Sequence, residues 1–369
     1  MAGNVRQPID VASLERYISA HVPEIQVPLD VKQFGYGQSN PTYQLTDKTG
    51  KKYVLRKKPP GQLLSKTAHK VDREYRIIHA LEKTDVPVPR ALCLCQDEKV
   101  IGTDFYIMEF LDGRIFEDPA LPSVTADERT KMWRSAITTL AKFHRVDPAS
   151  VNLASYGKHS GFYSRQITTF NTISQSQAAA QDKETGEPVG KIPHQDAMVS
   201  FFTDPKTQPQ DRATFVHGDY KIDNVVFHKT EPRVIGILDW EMSTIGHPLS
   251  DLTNVLAPYV TASNETAMTI GRAHKGFQPG ATPGLPTRDQ LIAWYSEVAG
   301  WDPTPDFTWG DAFSTYRLAI IMQGIAARYA LRQASSAQAQ EYGQMTKPYA
   351  EIAWQLVQEF KRGQGKAKL

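Results

Sequence analysis

Val216-His217-Gly218-Asp219-Tyr220-Lys221-Ile222-Asp223-Asn224-Val225-Val226-Phe227, followed by Val234-Ile235-Gly236-Ile237-Leu238-Asp239-Trp240, is the sharpest segment of the chain. It holds H-x-D-x-K-x-x-N and then a second aspartate at the end of an apolar strand. Moving a phosphoryl group needs a carboxylate to accept the proton of an attacking hydroxyl, and oxygen ligands to hold magnesium on the donor's phosphates. Asp219 fits the first role; Asn224 and Asp239 fit the second, on a short strand hairpin running from one to the other. Lys221, two residues after the base, can neutralise charge on the transferred group. Such residues taken singly often just cap turns. The whole spaced pattern flanked by strands is what a kinase site requires.

Working outward, Val31 to Lys58 alternates with the period of two that half-buried strands show, with a turn at Asp47-Lys48-Thr49-Gly50. Within it, Phe34-Gly35-Tyr36-Gly37-Gln38-Ser39-Asn40-Pro41 is a glycine-containing turn between strands. Gly35, Gly37, Ser39 and Asn40 are small enough there for backbone N–H groups to approach phosphate oxygens. A dinucleotide-binding loop would need a third glycine and a following helix, and the G-x-x-x-x-G-K-[ST] pattern is missing, so neither of those classes applies. Tyr53-Val54-Leu55-Arg56 stands where a kinase has V-A-I-K. Ala68 to Leu81 reads as an amphipathic helix with Glu74 on its polar side, able to pair with Arg56. Ala91 to Cys95 and Phe105 to Leu111 read as further strands. The second runs into Asp112-Gly113 as a hinge, where the backbone of Glu109 and Leu111 can bond adenine beside Met108.

After residue 111 the texture becomes helical. Thr125 and Glu128 form a capping-box pattern, and Trp133, Ile137, Leu140, Ala141 and His144 recur on one face. Leu291 to Val298, Phe313 to Leu331 and Tyr349 to Phe360 are further helices, while Gln175 to Lys191 reads as a loose insertion. The expected architecture is α+β and bilobal: an N-lobe over residues 1–111, an antiparallel sheet with one helix, and a larger helical C-lobe over 112–369 carrying the catalytic loop and acceptor site.

Composition narrows the partners. Forty-two basic residues stand against 40 acidic ones, a net charge of +2, scattered without a stripe, so nucleic acid is not the expected partner. The most apolar stretch, Leu318 to Ala330, is interrupted by Gln323 and Arg328 and falls short of the roughly 20 residues a membrane span needs. Met1 to Asp10 carries no secretory pattern. Cys93 and Cys95, two apart in a strand, are expected to be reduced and to bind no metal.

The wording of Tyr53 to Gly61, Val71 to Tyr75, Val86 to Pro89, Phe105 to Phe116 and His217 to Trp240 resembles the aminoglycoside phosphotransferase-like kinases. It is most similar to the kinase-like N-terminal domain fused to acyl-CoA dehydrogenases in family members ten and eleven. The resemblance runs from about Val31 to Phe360 and implies a protein-kinase-like fold, ATP with magnesium, and phosphorylation of a small-molecule hydroxyl. By the same resemblance Asp219 is the base, Asn224 and Asp239 are metal ligands, and Asp251 is a buried support for the catalytic loop. Arg56 replaces the lysine of protein kinases, a change of phosphate geometry that is shared with the subfamily.

The acceptor is less legible. A polycationic aminoglycoside calls for clustered carboxylates, yet after Asp251 the helices set Glu297 and Asp311 against Arg288, Arg317, Arg328 and Arg332. Trp294, Tyr295, Phe313, Tyr316, Ile320 and Ile321 are either core or the wall of an apolar cleft suited to an anionic acyl conjugate. A hydroxyacyl-CoA is the leading expectation, another alcohol or amino-sugar the alternative, and a nucleotide-binding scaffold without catalysis the rival. With no dehydrogenase domain after Leu369, a separate acyl-CoA dehydrogenase is expected as partner. Ala367-Lys368-Leu369 is similar to the S-K-L peroxisome address, with the cytoplasm as the alternative.

Overall fold

The computed structural model describes residues 2–35, 40–59, 70–269, 271, 274–334 and 338–366. Gly37, Ser39, the Pro60-Gly61 end of one quoted motif, the first two residues of the helix expected from Ala68, and the tail Ala367-Lys368-Leu369 lie outside the described residues. The chain divides into two compact units: residues 1–117, 146–154 and 217–243 form the first, and residues 118–145, 155–216 and 244–369 the second. The expected single cut after residue 111 differs from this division, in which the segment 217–243 belongs with the sheet.

In the first unit, strands β1 (Ala2–Gly3), β2 (Asp30–Phe34), β3 (Thr42–Thr46), β4 (Lys52–Lys57), β5 (Ala91–Cys95) and β6 (Phe105–Glu109) make one antiparallel sheet in the order β1-β2-β3-β4-β6-β5. Side chains alternate across a pleat, so Tyr53 and Leu55 of β4 share a face with Phe105 and Ile107 of β6. Helix α1 (Val11–His21) covers that face with Leu14 and Ile18, and α3 (Glu98–Ile101) adds Ile101. Helix α2 (Val71–Leu81) packs against β5 and β6, and the opposite pleat positions, Val54 and Arg56 facing Met108 and Tyr106, fall on its side of the sheet. The sequence reading expected one helix here and missed α1 and α3. Helix α1 has only two fully buried anchors, four residues apart, and is started by the Asp10 carboxylate accepting from the Ser13 N–H.

Further along the first unit, β8 (Val225–Phe227) and β9 (Val234–Ile237) form the hairpin expected between Asn224 and Asp239. In the second unit, β7 (Thr214–Val216) pairs with β10 (Thr244–Gly246), and the rest is helical. Helix α4 (Ala126–Arg145) buries Trp133, Ile137, Leu140, Ala141 and His144 as its spacing requires. A core of α5 (Phe162–Ala178), α6 (Gln195–Thr203), α10 (Phe307–Ala330) and α12 (Thr346–Lys366) interlocks Phe202, Trp309, Phe313, Tyr316 and Val357. The remaining helices are α7 (Leu249–Ala262), α8 (Glu265–Thr269), α9 (Arg288–Ala299) and α11 (Ala339–Gln344).

Gln175 to Lys191 is not a loose insertion. Its first residues continue α5, Gln181 pairs with Pro188 in an isolated bridge, and Asp182 and Glu184 both hold Arg332 beyond the end of α10. Polar composition here reflects ion pairing within the unit. No described helix is long and apolar enough to cross a membrane, and Cys93 and Cys95 are free thiols.

Candidate functional site

All the described residues of the expected phosphoryl-transfer set belong to the first unit. The segment between β7 and β8 is fixed by His217, which is completely buried. Its Nε2 donates to the Leu238 carbonyl at 2.9 Å, and its Nδ1 accepts from the Asp219 N–H at 3.3 Å, which sets the tautomer. The ring meets Trp240 edge-on, with centroids 4.8 Å apart. Gly218 takes φ +86°, and a Cβ there would stand 2.8 Å from Met242 Cβ, so the turn needs glycine twice over.

Asn224 closes the turn from the other side: its Nδ2 donates to the Asp219 carbonyl at 2.8 Å and to Asp219 Oδ2 at 3.0 Å. The Leu238 N–H donates to the Asn224 carbonyl at 2.8 Å, so Asn224 and Asp239 leave the hairpin from adjacent positions. Asp239 itself sits in the left-handed region at φ 66°, a strained conformation for a non-glycine residue. Lys221 Nζ stands 3.5 Å from Asp219 Oδ2 and 3.2 Å from Asp223 Oδ2. Burial works against its charge, but the two carboxylates outweigh it and raise its pKa.

Arg56 gathers three carboxylates. Its Nη2 lies 2.9 Å from Asp239 Oδ1 and 3.4 Å from Glu241 Oε2; its Nε lies 3.2 Å from Glu74 Oε2 without making a hydrogen bond to it. The expected Arg56–Glu74 pair therefore exists as a charge contact. Glu74 receives its hydrogen bonds elsewhere, from Asn40 Nδ2 at 2.8 Å and the Tyr106 hydroxyl at 3.0 Å. Burial pushes the Glu74 carboxyl up to about 7, against the pull of Arg56 and Tyr106, while Asp239 and Glu241 add repulsion. Burial opposes the Arg56 charge as well, yet its acidic neighbours hold its pKa above the ordinary arginine value.

Asn40, expected in a phosphate-binding turn, is fully buried and its amide is turned to Glu74. Gly35 is open around its Cα. At the hinge, the Glu109 N–H is spent on the Arg90 carbonyl, and the Leu111 carbonyl accepts from Gly113. The Leu111 N–H has no partner among the described residues. Met108 is buried opposite Val54, and Gly236 lies so close to Leu111 that a Cβ would strike it at 2.0 Å.

Sequence reasoning passed over three residues of this cluster. His217 was in the quoted motif without a role, and Glu241 follows Asp239 by two. Tyr106 shares its pleat face with Met108, a signal that period-two reading contains. In the second unit, His144 joins Asp251 at 3.2 Å and the Tyr295 hydroxyl at 2.8 Å, all buried. The aromatics weighed as an acceptor wall are mostly core: Tyr295, Phe313, Tyr316 and Ile320 are buried, whereas Ile321 is exposed. Arg288 is committed to Asp311 at 2.6 Å and Arg332 to Asp182 and Glu184.

The cluster supplies a carboxylate held on a rigid turn, an amide and a carboxylate oxygen at one hairpin end, and a buried guanidinium. Asn224 spends its Nδ2 on Asp219 and keeps Oδ1, and Asp239 meets Arg56 through one oxygen, leaving the other. Two hard oxygen donors at adjacent positions suit a magnesium ion that also takes phosphate oxygens. Among the described residues no group of three or more His, Cys, Asp or Glu could hold a metal by itself.

The chain is similar to known proteins in sequence and in fold. The sequence model described as "Phosphotransferase enzyme family" matches residues 30–291. The acyl-CoA dehydrogenase family member 11 of Rattus norvegicus is 38% identical over 352 residues, which cover 94% of this chain and 43% of that protein. The chain thus spans less than half the length of that relative. A crystal structure of an aminoglycoside-phosphotransferase-like protein from Ralstonia eutropha is 37% identical, with a TM-score of 0.81, covering 95% of this chain and 99% of that one. The aminoglycoside phosphotransferase APH(2'')-Ib, solved with ADP, shares the fold at 13% identity and a TM-score of 0.58, covering 93% and 99%.

Proposed function

The chain belongs to the phosphotransferase enzyme family, and from that premise we propose that it is an ATP-dependent kinase whose acceptor is the chain hydroxyl of a hydroxyacyl-CoA. It is a phosphotransferase acting on an alcohol group of a small molecule. The observation that carries the reading is the His217 imidazole, which ties the Asp219 backbone to the Leu238 carbonyl and so keeps Asp219, Asn224 and Asp239 on one hairpin. In this reading Asp219 orients the acceptor hydroxyl and takes its proton, and Lys221 steadies charge near the transferred group. Arg56, with Glu74 behind it, presents a fixed cation to the donor's phosphates. By the sequence reading, Gly35, Gly37 and Ser39 would serve the phosphates, and Met108, Glu109 and Leu111 offer the adenine edge through the Leu111 N–H. Magnesium held by Asn224 and Asp239 would neutralise the phosphate oxygens of ATP.

The acyl-CoA acceptor is supported by the names of relatives alone, and an acyl-CoA dehydrogenase is the partner it implies. The Ralstonia relative favours a second reading, an amino-sugar acceptor. An ADP-release screen across 4-hydroxyacyl-CoA, 3-hydroxyacyl-CoA, the free hydroxy acids and an aminoglycoside panel separates them. Turnover is expected with the CoA esters; turnover confined to aminoglycosides would refute the lipid acceptor. ATP bound tightly but never consumed would favour a scaffold. A peroxisomal location, read from Ala367-Lys368-Leu369, belongs to the same proposal. A fluorescent fusion with a free C-terminus should be punctate and become diffuse when Leu369 is deleted; diffuse signal from both returns the protein to the cytosol.

A further inference from the structure

We infer that Tyr106 and Asn40 are positioning residues for nucleotide binding: their hydrogen bonds, and not Arg56, fix the Glu74 carboxylate against which Arg56 is held. Glu74 is 1% exposed, so its oxygens must be satisfied inside the protein. Oε1 is taken by Asn40 Nδ2 and Oε2 by the Tyr106 hydroxyl. The Arg56 Nε, though 3.2 Å away, makes no hydrogen bond. Charge attraction draws the guanidinium toward Glu74 but does not set the carboxylate's angle; two directional donors from opposite ends do.

Their placement gives those donors a function. Tyr106 is the cross-strand neighbour of Arg56 in β6, and so stands beside the residue it helps to aim. Asn40 stands just ahead of β3, and its carbonyl accepts from the Thr42 hydroxyl at the start of that strand. Glu74 on α2 is thereby tied to the sheet on both sides, and Arg56 is left with Nη2 directed at Asp239 and Glu241. Loss of either donor frees the carboxylate to rotate, and the guanidinium loses the fixed direction that phosphate binding needs. Tyr106 packs edge-on against Tyr75 of α2, so the ring serves the core and the hydroxyl serves Glu74.

The inference rests on the kinase reading above, and a double-mutant cycle tests it separately. Tyr106→Phe keeps the ring, and should raise the KM for ATP and the Kd for magnesium-ATP about tenfold, the worth of a hydrogen bond to a buried charge, with the acceptor KM unmoved. In a Glu74→Ala background the same change should cost less than about twofold, because the group it acts through is gone. Asn40→Ala should behave alike in the same cycle, and covers the case in which Tyr106→Phe folds poorly. Equal losses in both backgrounds, or no loss beside intact Glu74, would overturn the inference while leaving the kinase assignment standing. A parent protein that neither binds magnesium-ATP nor releases ADP would bring down both.

Discussion

The guanidinium of Arg56 on β4 reaches the carboxylate of Asp239 at 2.9 Å, bridging 183 residues of chain. The residue expected to present a cation to phosphate and the residue expected to hold metal thus form an ion pair with each other. Arg56 contacts Glu74 and Glu241 as well.

Asp239→Asn should leave the protein folded while weakening magnesium-dependent ATP binding by about tenfold or more and lowering the rate with it. Glu241→Gln, which weakens the longer contact, should change either by less than about threefold. Calorimetric titration with magnesium-ATP checks both; unchanged binding in Asp239→Asn would refute the ligand assignment.

Asp219→Asn retains an oxygen to accept the Asn224 amide but cannot take up a proton. Phosphoryl transfer should fall by about a thousandfold or more, while magnesium-ATP affinity stays within a few-fold, since the base acts on the acceptor. Equal turnover in mutant and parent would remove Asp219 from the mechanism.

His217→Phe preserves a buried ring but strands the Leu238 carbonyl and the Asp219 N–H. Each lost partner costs about 1 to 3 kcal/mol, so the melting temperature should drop clearly. The kcat should fall further than the folded fraction accounts for, because Asp219 is no longer tied to the hairpin. A variant of parental kcat at full folding would show the tie to be dispensable.

Glu74, with its pKa raised to about 7 by burial, must be ionised to hold Arg56. The kcat/KM for ATP should decline as pH falls through about 7, and Glu74→Gln should flatten that acid limb. Charged or titrating groups around Glu74 are Arg56 on β4, Tyr106 on β6, and Asp239 and Glu241 after β9. For stability the sign is opposite. A folded-state pKa above the ordinary carboxylate value of 4.5 favours the protonated folded protein. That contribution is complete below about 4.5 and lost as pH rises through about 7. The melting temperature of the parent relative to Glu74→Gln should fall between pH 5 and 8.

Five of the six strands of the main sheet, the helix carrying Glu74, and the hairpin from Asn224 to Asp239 were legible in the linear chain, and β1 was not. Each depends on local periodicity or on the spacing of residues close in the chain, which a linear reading contains. It also singled out Asp219, Asn224, Asp239, Arg56 and Glu74, because that chemistry needs fixed residue types within short motifs. It missed α1, whose few anchors give weak periodicity, and misread Gln175 to Lys191, whose polar residues are satisfied by Arg332 far along the chain. Only tertiary structure turned Asn40 away from a phosphate turn and onto Glu74, gave Tyr106 and His217 their partners, and placed Tyr295, Phe313 and Tyr316 in the core. An amide, a hydroxyl and an imidazole each accept many partners, and an aromatic ring suits a core as well as a cleft. Which one each finds is set by burial and by which distant strand or helix closes over it, and that is decided when the chain packs.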